Sequence, residues 1–152
     1  MLLSSCTAIK QEPLDSPIVQ ETNELAAWRL SSSEQRLASS NRAIAQLLQQ
    51  ADDLMTEANF EMSADKLERL VRIEPTFAQA WSRLAWMALE DGDAERSQQL
   101  AQRSNSYSRD NDNLKLLNWR FILKAGELLN DFDIIQQAEQ MIKILLAELG
   151  AE

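Results

Sequence analysis

The chain has no histidine and only one cysteine in 152 residues. The lack of histidine removes the commonest general base and the commonest metal ligand of proteins. A single cysteine cannot form an internal disulfide or a zinc site. Paired carboxylates remain available, and an enzyme of the lytic glycosidase kind is one alternative, but no acidic pair stands out. We therefore predict no catalytic residue, no metal, no cofactor and no small-molecule substrate.

Glycine and basic residues are also scarce. The chain has three glycines, and no run of alternating Val, Ile or Thr predicts a β-sheet. Apolar residues make up 45% of the sequence, and together with abundant Leu, Ala, Gln and Glu they favour an all-α domain. Only 15 basic residues oppose 24 acidic ones, which leaves a net charge of −9. Because an acidic domain repels phosphate backbones, we exclude nucleic acid as a partner.

The most regular stretch covers residues 59–100 and reads as helix, turn, helix, turn, helix. Apolar residues recur there at the i, i+3, i+4 spacing of a helix with one buried stripe. Pro75 ends the first helix, because it lacks an N–H and disfavours helical geometry in the residue before it. Gly92 suits the left-handed conformation that closes a helix, and Asp93 is a good cap for the next one.

This stretch resembles the tetratricopeptide repeat, a helix–turn–helix unit of about 34 residues. In that family a proline closes one repeat, and an aromatic residue follows six positions later, as Pro75 and Trp81 do here. Leu84–Ala85 matches the leucine–small pair of the family, and Gly92–Asp93 matches its mid-repeat turn. The resemblance implies that Trp81 is buried where two repeats meet.

Counting from these anchors gives one repeat over residues 44–77 and a second over 78–111. The second departs from the family pattern in its back half, at Ser97, Ala101, Ser104 and Arg109. Residues 112–149 have the outline of an atypical third helix pair, in which Trp119 stands where the family needs a small residue. The resemblance implies an all-α fold of about seven helices, a short right-handed α-solenoid with this pair as its C-terminal cap. An unrelated helical bundle would show the same apolar stripes.

The N-terminus carries a motif for lipid attachment. Leu3-Ser4-Ser5-Cys6 looks like a bacterial lipobox, in which the cysteine is lipidated and becomes the mature N-terminus. Residues 1–6 would then be the remnant of a signal peptide, which is shorter than a working one. The alternative is an incidental exposed cysteine. With Thr7 after the cysteine, the resemblance implies an outer-membrane lipoprotein that faces the periplasm.

Residues 7–30 read as a flexible tether, because Pro13 and Pro17 break helices among polar residues. Residues 22–30 also fit a short helix, and we expect Trp28 to pack on the N-terminal face of the domain rather than on a partner. The helical domain then covers residues 31–152. Its first helix begins at the Ser31–Glu34 stretch and either continues to Glu57 or, as we favour, breaks at residues 39–41.

Stacked repeats present a concave face built from the first helix of each pair. Trp and Arg dominate binding hot spots, so Arg83, Trp86 and Arg120 are the leading candidates for partner binding. Packing of Trp86 between helices and simple solvation of the arginines are the alternatives. Some family members clamp a C-terminal carboxylate with Lys and Asn, but Leu48, Asp52 and Ser82 stand at those positions here. The predicted partner-binding set is Gln79, Ser82, Arg83, Trp86, Arg120 and Lys124.

Together these features predict a protein–protein interaction module and not an enzyme. The combination of lipobox, tether and short repeat domain resembles the LpoP-type lipoprotein activators of peptidoglycan synthases. A protein of this build would dock and regulate another cell-envelope protein through its concave face, with the membrane contacted through a lipid on Cys6. A pilotin-like assembly factor for a pilus or secretin is an alternative. A cytosolic adaptor is another, if Cys6 is unmodified.

Overall fold

The computed structural model describes residues 28–150, and these form seven α-helices without a strand. The all-α prediction is confirmed. The lipobox, Cys6 and the predicted tether up to residue 27 lie outside the described residues. The helices are α1 (Ser32–Ser40), α2 (Arg42–Thr56), α3 (Phe60–Ile73), α4 (Ala78–Glu90), α5 (Ala94–Tyr107), α6 (Asp112–Leu129) and α7 (Phe132–Glu148).

Local signals in the sequence place most helix ends correctly. The favoured break after α1 is confirmed, since Asn41 ends that helix and its side chain caps α2 by accepting from Ala43 N. Asp93 caps α5 and Asp131 caps α7, as their positions after turns predict. Gly92 has φ of 79°, the left-handed conformation for which glycine is suited.

The helices pack in chain order, and α4 also packs against α6. The pairs α2–α3, α4–α5 and α6–α7 therefore stack as helix hairpins, with the first helices of the last two pairs side by side. One apolar cluster joins α2, α3 and α4 around Leu67, Leu70 and Phe77. A second joins α4 to α7 around Phe121 and Ile122. Within residues 28–150, no helix is long and apolar enough to cross a bilayer.

The junction between the first two hairpins is filled by Phe77 and not by Trp81. Phe77 is fully buried in the first cluster. Trp81, expected to be buried, is half-buried at the edge of that cluster. Its indole N–H donates to the carbonyl of Pro75 at 2.8 Å, and the Arg103 guanidinium lies 4.4 Å from its ring centroid. Trp81 therefore packs over the turn after α3, while Phe77 provides the buried apolar contact between the first two hairpins.

Two buried serines on α5 differ in their hydrogen bonding. Ser97 and Ser104 are both fully buried, one on each side of Ala101. The Ser104 hydroxyl donates to the carbonyl of Ala78 at 2.9 Å and accepts from Asn118 Nδ2. The Ser97 hydroxyl has no hydrogen-bond partner among the described residues. Only one of these departures from the repeat pattern is therefore compensated in the folded chain.

We expect Ser97→Ala to raise the free energy of unfolding by about 1 kcal/mol, because it removes a buried hydroxyl that lacks a partner. Ser104→Ala is the matched control, and it should lower that free energy by about 1–2 kcal/mol, because it removes two buried hydrogen bonds, one to the Ala78 carbonyl and one from Asn118 Nδ2, which keeps only its bond to Asn105. Urea melts of both variants measure the difference. Equal effects of the two substitutions would contradict this account.

The close packing of the two helices of the third hairpin depends on a glycine. Gly126 is buried in α6, and a Cβ added there would lie 2.9 Å from Cγ2 of Ile134 and 3.2 Å from Cγ1 of Ile135. Both isoleucines lie on α7, so the missing side chain lets the last two helices approach closely. Trp119, which disagrees with the repeat pattern, is partly buried against the second apolar cluster.

Candidate functional site

Three of the residues predicted to bind a partner are buried. Gln79 and Ser82 are inaccessible to solvent, and Arg83 is only 4% exposed. The prediction placed them on an open concave face, and the structure corrects that view. They lie on the inner face of α4 and contact Trp28, Arg29 and Glu34 from the beginning of the described chain.

The side chain of Trp28 lies across α4. Its indole N–H donates to the Ser82 hydroxyl at 3.2 Å. The guanidinium carbon of Arg83 lies 5.1 Å from the Trp28 ring centroid, within the range of a cation–π contact. The Trp86 ring meets that of Trp28 edge to face, with centroids 6.0 Å apart and planes at 78°. Trp28 thus packs on the domain, as expected, but on α4 rather than at the N-terminal end.

The backbone next to Trp28 is held by two side-chain amides. The carbonyl of Arg29 accepts from Gln79 Nε2 at 2.8 Å and from Asn111 Nδ2 at 3.3 Å. Asn111 also caps α6 through its Oδ1, so its amide serves both elements. Residues 28–30 are not helical, and they belong to the packed domain rather than to the tether predicted for residues 7–30. We call the residues around this segment (Gln79, Ser82, Arg83, Trp86 and Asn111) the Trp28 site.

An ion pair with α2 holds Arg83 in place. Arg83 Nε and Nη2 donate to the two carboxylate oxygens of Asp52 at 2.7 and 3.2 Å. Its Nη1 donates to the carbonyl and the side-chain oxygen of Gln79, at 3.2 and 2.9 Å. A guanidinium bound within its plane by a carboxylate keeps its flat face available for stacking. The guanidinium carbon of Arg83 in turn lies over the ring of Trp28.

The remaining predicted residues lie on α4 and α6, which pack side by side, and we call the surface between these two helices the groove. Trp86 is half-buried, and its ring also meets Phe60 edge to face at 5.3 Å, so it packs between helices as the alternative interpretation holds. Arg120 and Lys124 lie on α6, the helix that packs beside α4, and both are half-buried. Lys124 Nζ pairs with Glu127 at 3.0 Å.

One turn beyond Trp86, burial raises the pKa of the Glu90 carboxyl, and neighbouring Asp91 adds to the rise.

Glu34 connects the first helix to the site. It is only 5% exposed, and its carboxylate accepts from the backbone N–H and the hydroxyl of Ser31 in a capping box for α1. Its other oxygen accepts from the backbone N–H of Gln79 at 3.0 Å, across 45 residues of sequence. The N-cap of α4, Phe77, makes no side-chain cap of its own. The Ser-x-x-Glu pattern signals the first role of Glu34, but nothing in the sequence signals the second.

The Trp28 site thus combines an aromatic ring, a guanidinium and two amide donors that bind one main-chain carbonyl. Within the described chain, no group of three or more acidic or cysteine side chains is placed to hold a metal ion. In comparisons with known proteins, no family profile, no curated protein and no solved structure matches this chain.

Proposed function

We propose that the protein is a non-enzymatic docking module of the tetratricopeptide kind, in which the groove between α4 and α6 binds a segment of another protein. The observation that carries this proposal is the Trp28–Arg29 segment itself. The groove holds a non-helical stretch of chain through one aromatic side chain and one main-chain carbonyl. Such contacts are those by which a groove recognises a peptide.

We further propose an outer-membrane lipoprotein, anchored through Cys6, that regulates a cell-envelope protein such as a peptidoglycan synthase. This step is supported by the lipobox-like Leu3–Cys6 sequence and by the short polar stretch that follows it. Arg120 and Lys124 are half-buried on α6 and supply positive charge in an acidic protein. Each already interacts within the chain, so a partner segment would compete for them. Acidic or carboxylate-bearing partner segments fit these charges.

The Arg120→Glu/Lys124→Glu double variant tests the groove. We expect it to lose partners that the wild type retains from a cell-envelope extract, and to lose them more completely at low salt, because exposed charges are screened by ions. The matched control is Arg69→Glu/Arg72→Glu, which makes the same change in net charge on the exposed face of α3. Circular dichroism first verifies that all proteins are folded.

A loss of the same partners from both double variants would show that net charge, and not the groove, determines binding. Retention of an unchanged set by the groove variant would contradict the proposed docking surface. The identities of the retained proteins also separate the alternatives, since mass spectrometry distinguishes a synthase, a pilus or secretin component and a cytosolic complex.

A further inference from the structure

Trp28 packs against the edge of the second apolar cluster, but the surface beneath it also contains polar groups. This distinguishes it from the core aromatic residues. Phe77 and Phe121 lie within apolar clusters. Beneath Trp28 lie the Ser82 hydroxyl and the Arg83 guanidinium, and the Gln79 amide lies beneath Arg29. If the segment leaves, these groups can form hydrogen bonds with water instead. Displacing Trp28 and Arg29 therefore costs less free energy than exposing the same area of the apolar core.

We expect the site to keep its geometry without its occupant. The hydrogen bonds that orient Arg83 run to Asp52 and Gln79, and none of them involves Trp28. The Asn111 side chain is fixed by its capping bond to Leu114 N. A site whose donors are oriented in advance binds its ligand with a smaller loss of conformational entropy.

The chemistry of the site selects one kind of side chain. The Arg83 face favours an aromatic ring, and the Ser82 hydroxyl accepts the N–H that only an indole offers among the apolar aromatic rings. The side-chain amides of Gln79 and Asn111 bind the main-chain carbonyl of the residue after the tryptophan. These hydrogen bonds do not depend on the side chain of that residue. The side chain of Arg29 is exposed, so its identity is not read.

We propose that the Trp28 site recognises a non-helical peptide segment that carries a tryptophan, and that Trp28 occupies the site in cis until a partner segment of this chemistry displaces it. This inference rests on the proposed docking function and names the partner class. Displacement of Trp28 would also break the hydrogen bonds from Gln79 and Asn111 to the Arg29 carbonyl, so that docking and the position of this described segment are coupled.

The first test uses a fluorescent peptide with the sequence of residues 23–31 and the full-length chain. We expect the Trp28→Ala chain to bind it saturably, and the wild type to bind it at least about tenfold more weakly, because the cis segment competes for the site. A peptide with Trp28→Ala should bind neither chain. A peptide with Arg29→Ala should bind the Trp28→Ala chain as well as the original does, since only the carbonyl of that residue is held.

The second test uses the wild type and does not depend on a variant that folds. In nuclear magnetic resonance spectra of the ¹⁵N-labelled chain, excess unlabelled peptide should move the Trp28 indole signal to the position of a solvent-exposed tryptophan. The Trp81 indole, which donates to Pro75, is the internal control and should not move. Exchange of the Trp28 indole proton with solvent should also become faster when excess peptide is present.

The proposal is overturned if the folded Trp28→Ala chain does not bind the peptide, or if excess peptide changes neither the Trp28 indole signal of the wild type nor the exchange of its proton. Trp28 would then be a permanent part of the fold. These results are independent of the proposed function. If the wild type retains envelope proteins that the groove variant loses, but the Trp28→Ala chain does not bind the peptide, the groove remains the docking surface and the recognition of tryptophan is rejected. If the peptide binds but the groove variant retains the same proteins as the wild type, the proposed function is rejected and the recognition of tryptophan is not.

Discussion

Replacing Phe77 by alanine is expected to lower the free energy of unfolding by about 3–5 kcal/mol, the usual cost of truncating a large aromatic residue in a core. Phe77 is fully buried where α2, α3 and α4 meet, and the small side chain of alanine would leave a cavity between the first two hairpins. Since domains are stable by about 5–15 kcal/mol, the loss would remove a large part of the total. Urea melts followed by circular dichroism measure it.

The chain offers a matched control at the start of another helix. Phe132 is the first residue of α7 and is 81% exposed, so Phe132→Ala should change the stability by less than about 0.5 kcal/mol. The half-buried Trp81 should give an intermediate loss on replacement by alanine. If Phe77→Ala cost no more than Phe132→Ala, the junction between the hairpins would not be where the structure places it.

Replacing Glu34 by alanine is expected to cost about 3 kcal/mol, a large effect for a glutamate in the first turn of a helix. The substitution leaves the buried N–H of Gln79 without an acceptor, which costs about 1–3 kcal/mol, and it removes the capping box of α1, which contributes about 1 kcal/mol. Thermal and urea unfolding of the variant measure the loss. Because Gln79 belongs to the Trp28 site, the indole signal of Trp28 should also shift.

Glu61 provides the comparison for Glu34. It lies in the first turn of α3 and is exposed, so Glu61→Ala should remove only a favourable interaction with the helix dipole, about 0.3–1 kcal/mol. Glu34→Gln keeps the size of the side chain and one acceptor oxygen, and its loss should fall between the two. Equal losses for Glu34→Ala and Glu61→Ala would mean that Glu34 does not cap α4.

The sequence predicted the part of the candidate site that depends on helix periodicity. Residues 79, 82, 83 and 86 share one face of α4, and the structure places that face in the groove. Asp52 stands on α2 at one of the positions where some family members clamp a carboxylate, and here it pairs with Arg83. The exposure of that face was not predicted correctly. A helical spacing tells which residues share a face, but it does not tell what covers them.

The sequence by itself determined the fold class and the helix ends, because periodic apolar residues and capping side chains act within one or two turns of chain. Asn41, Asp93 and Asp131 each bond to a backbone N–H at most three residues away. Only the tertiary structure decided that the groove is occupied. Trp28 reaches Ser82 across 54 residues, and Arg29 reaches Asn111 across 82. Single contacts between distant segments have no periodicity, and so they leave no pattern in the sequence from which they can be read.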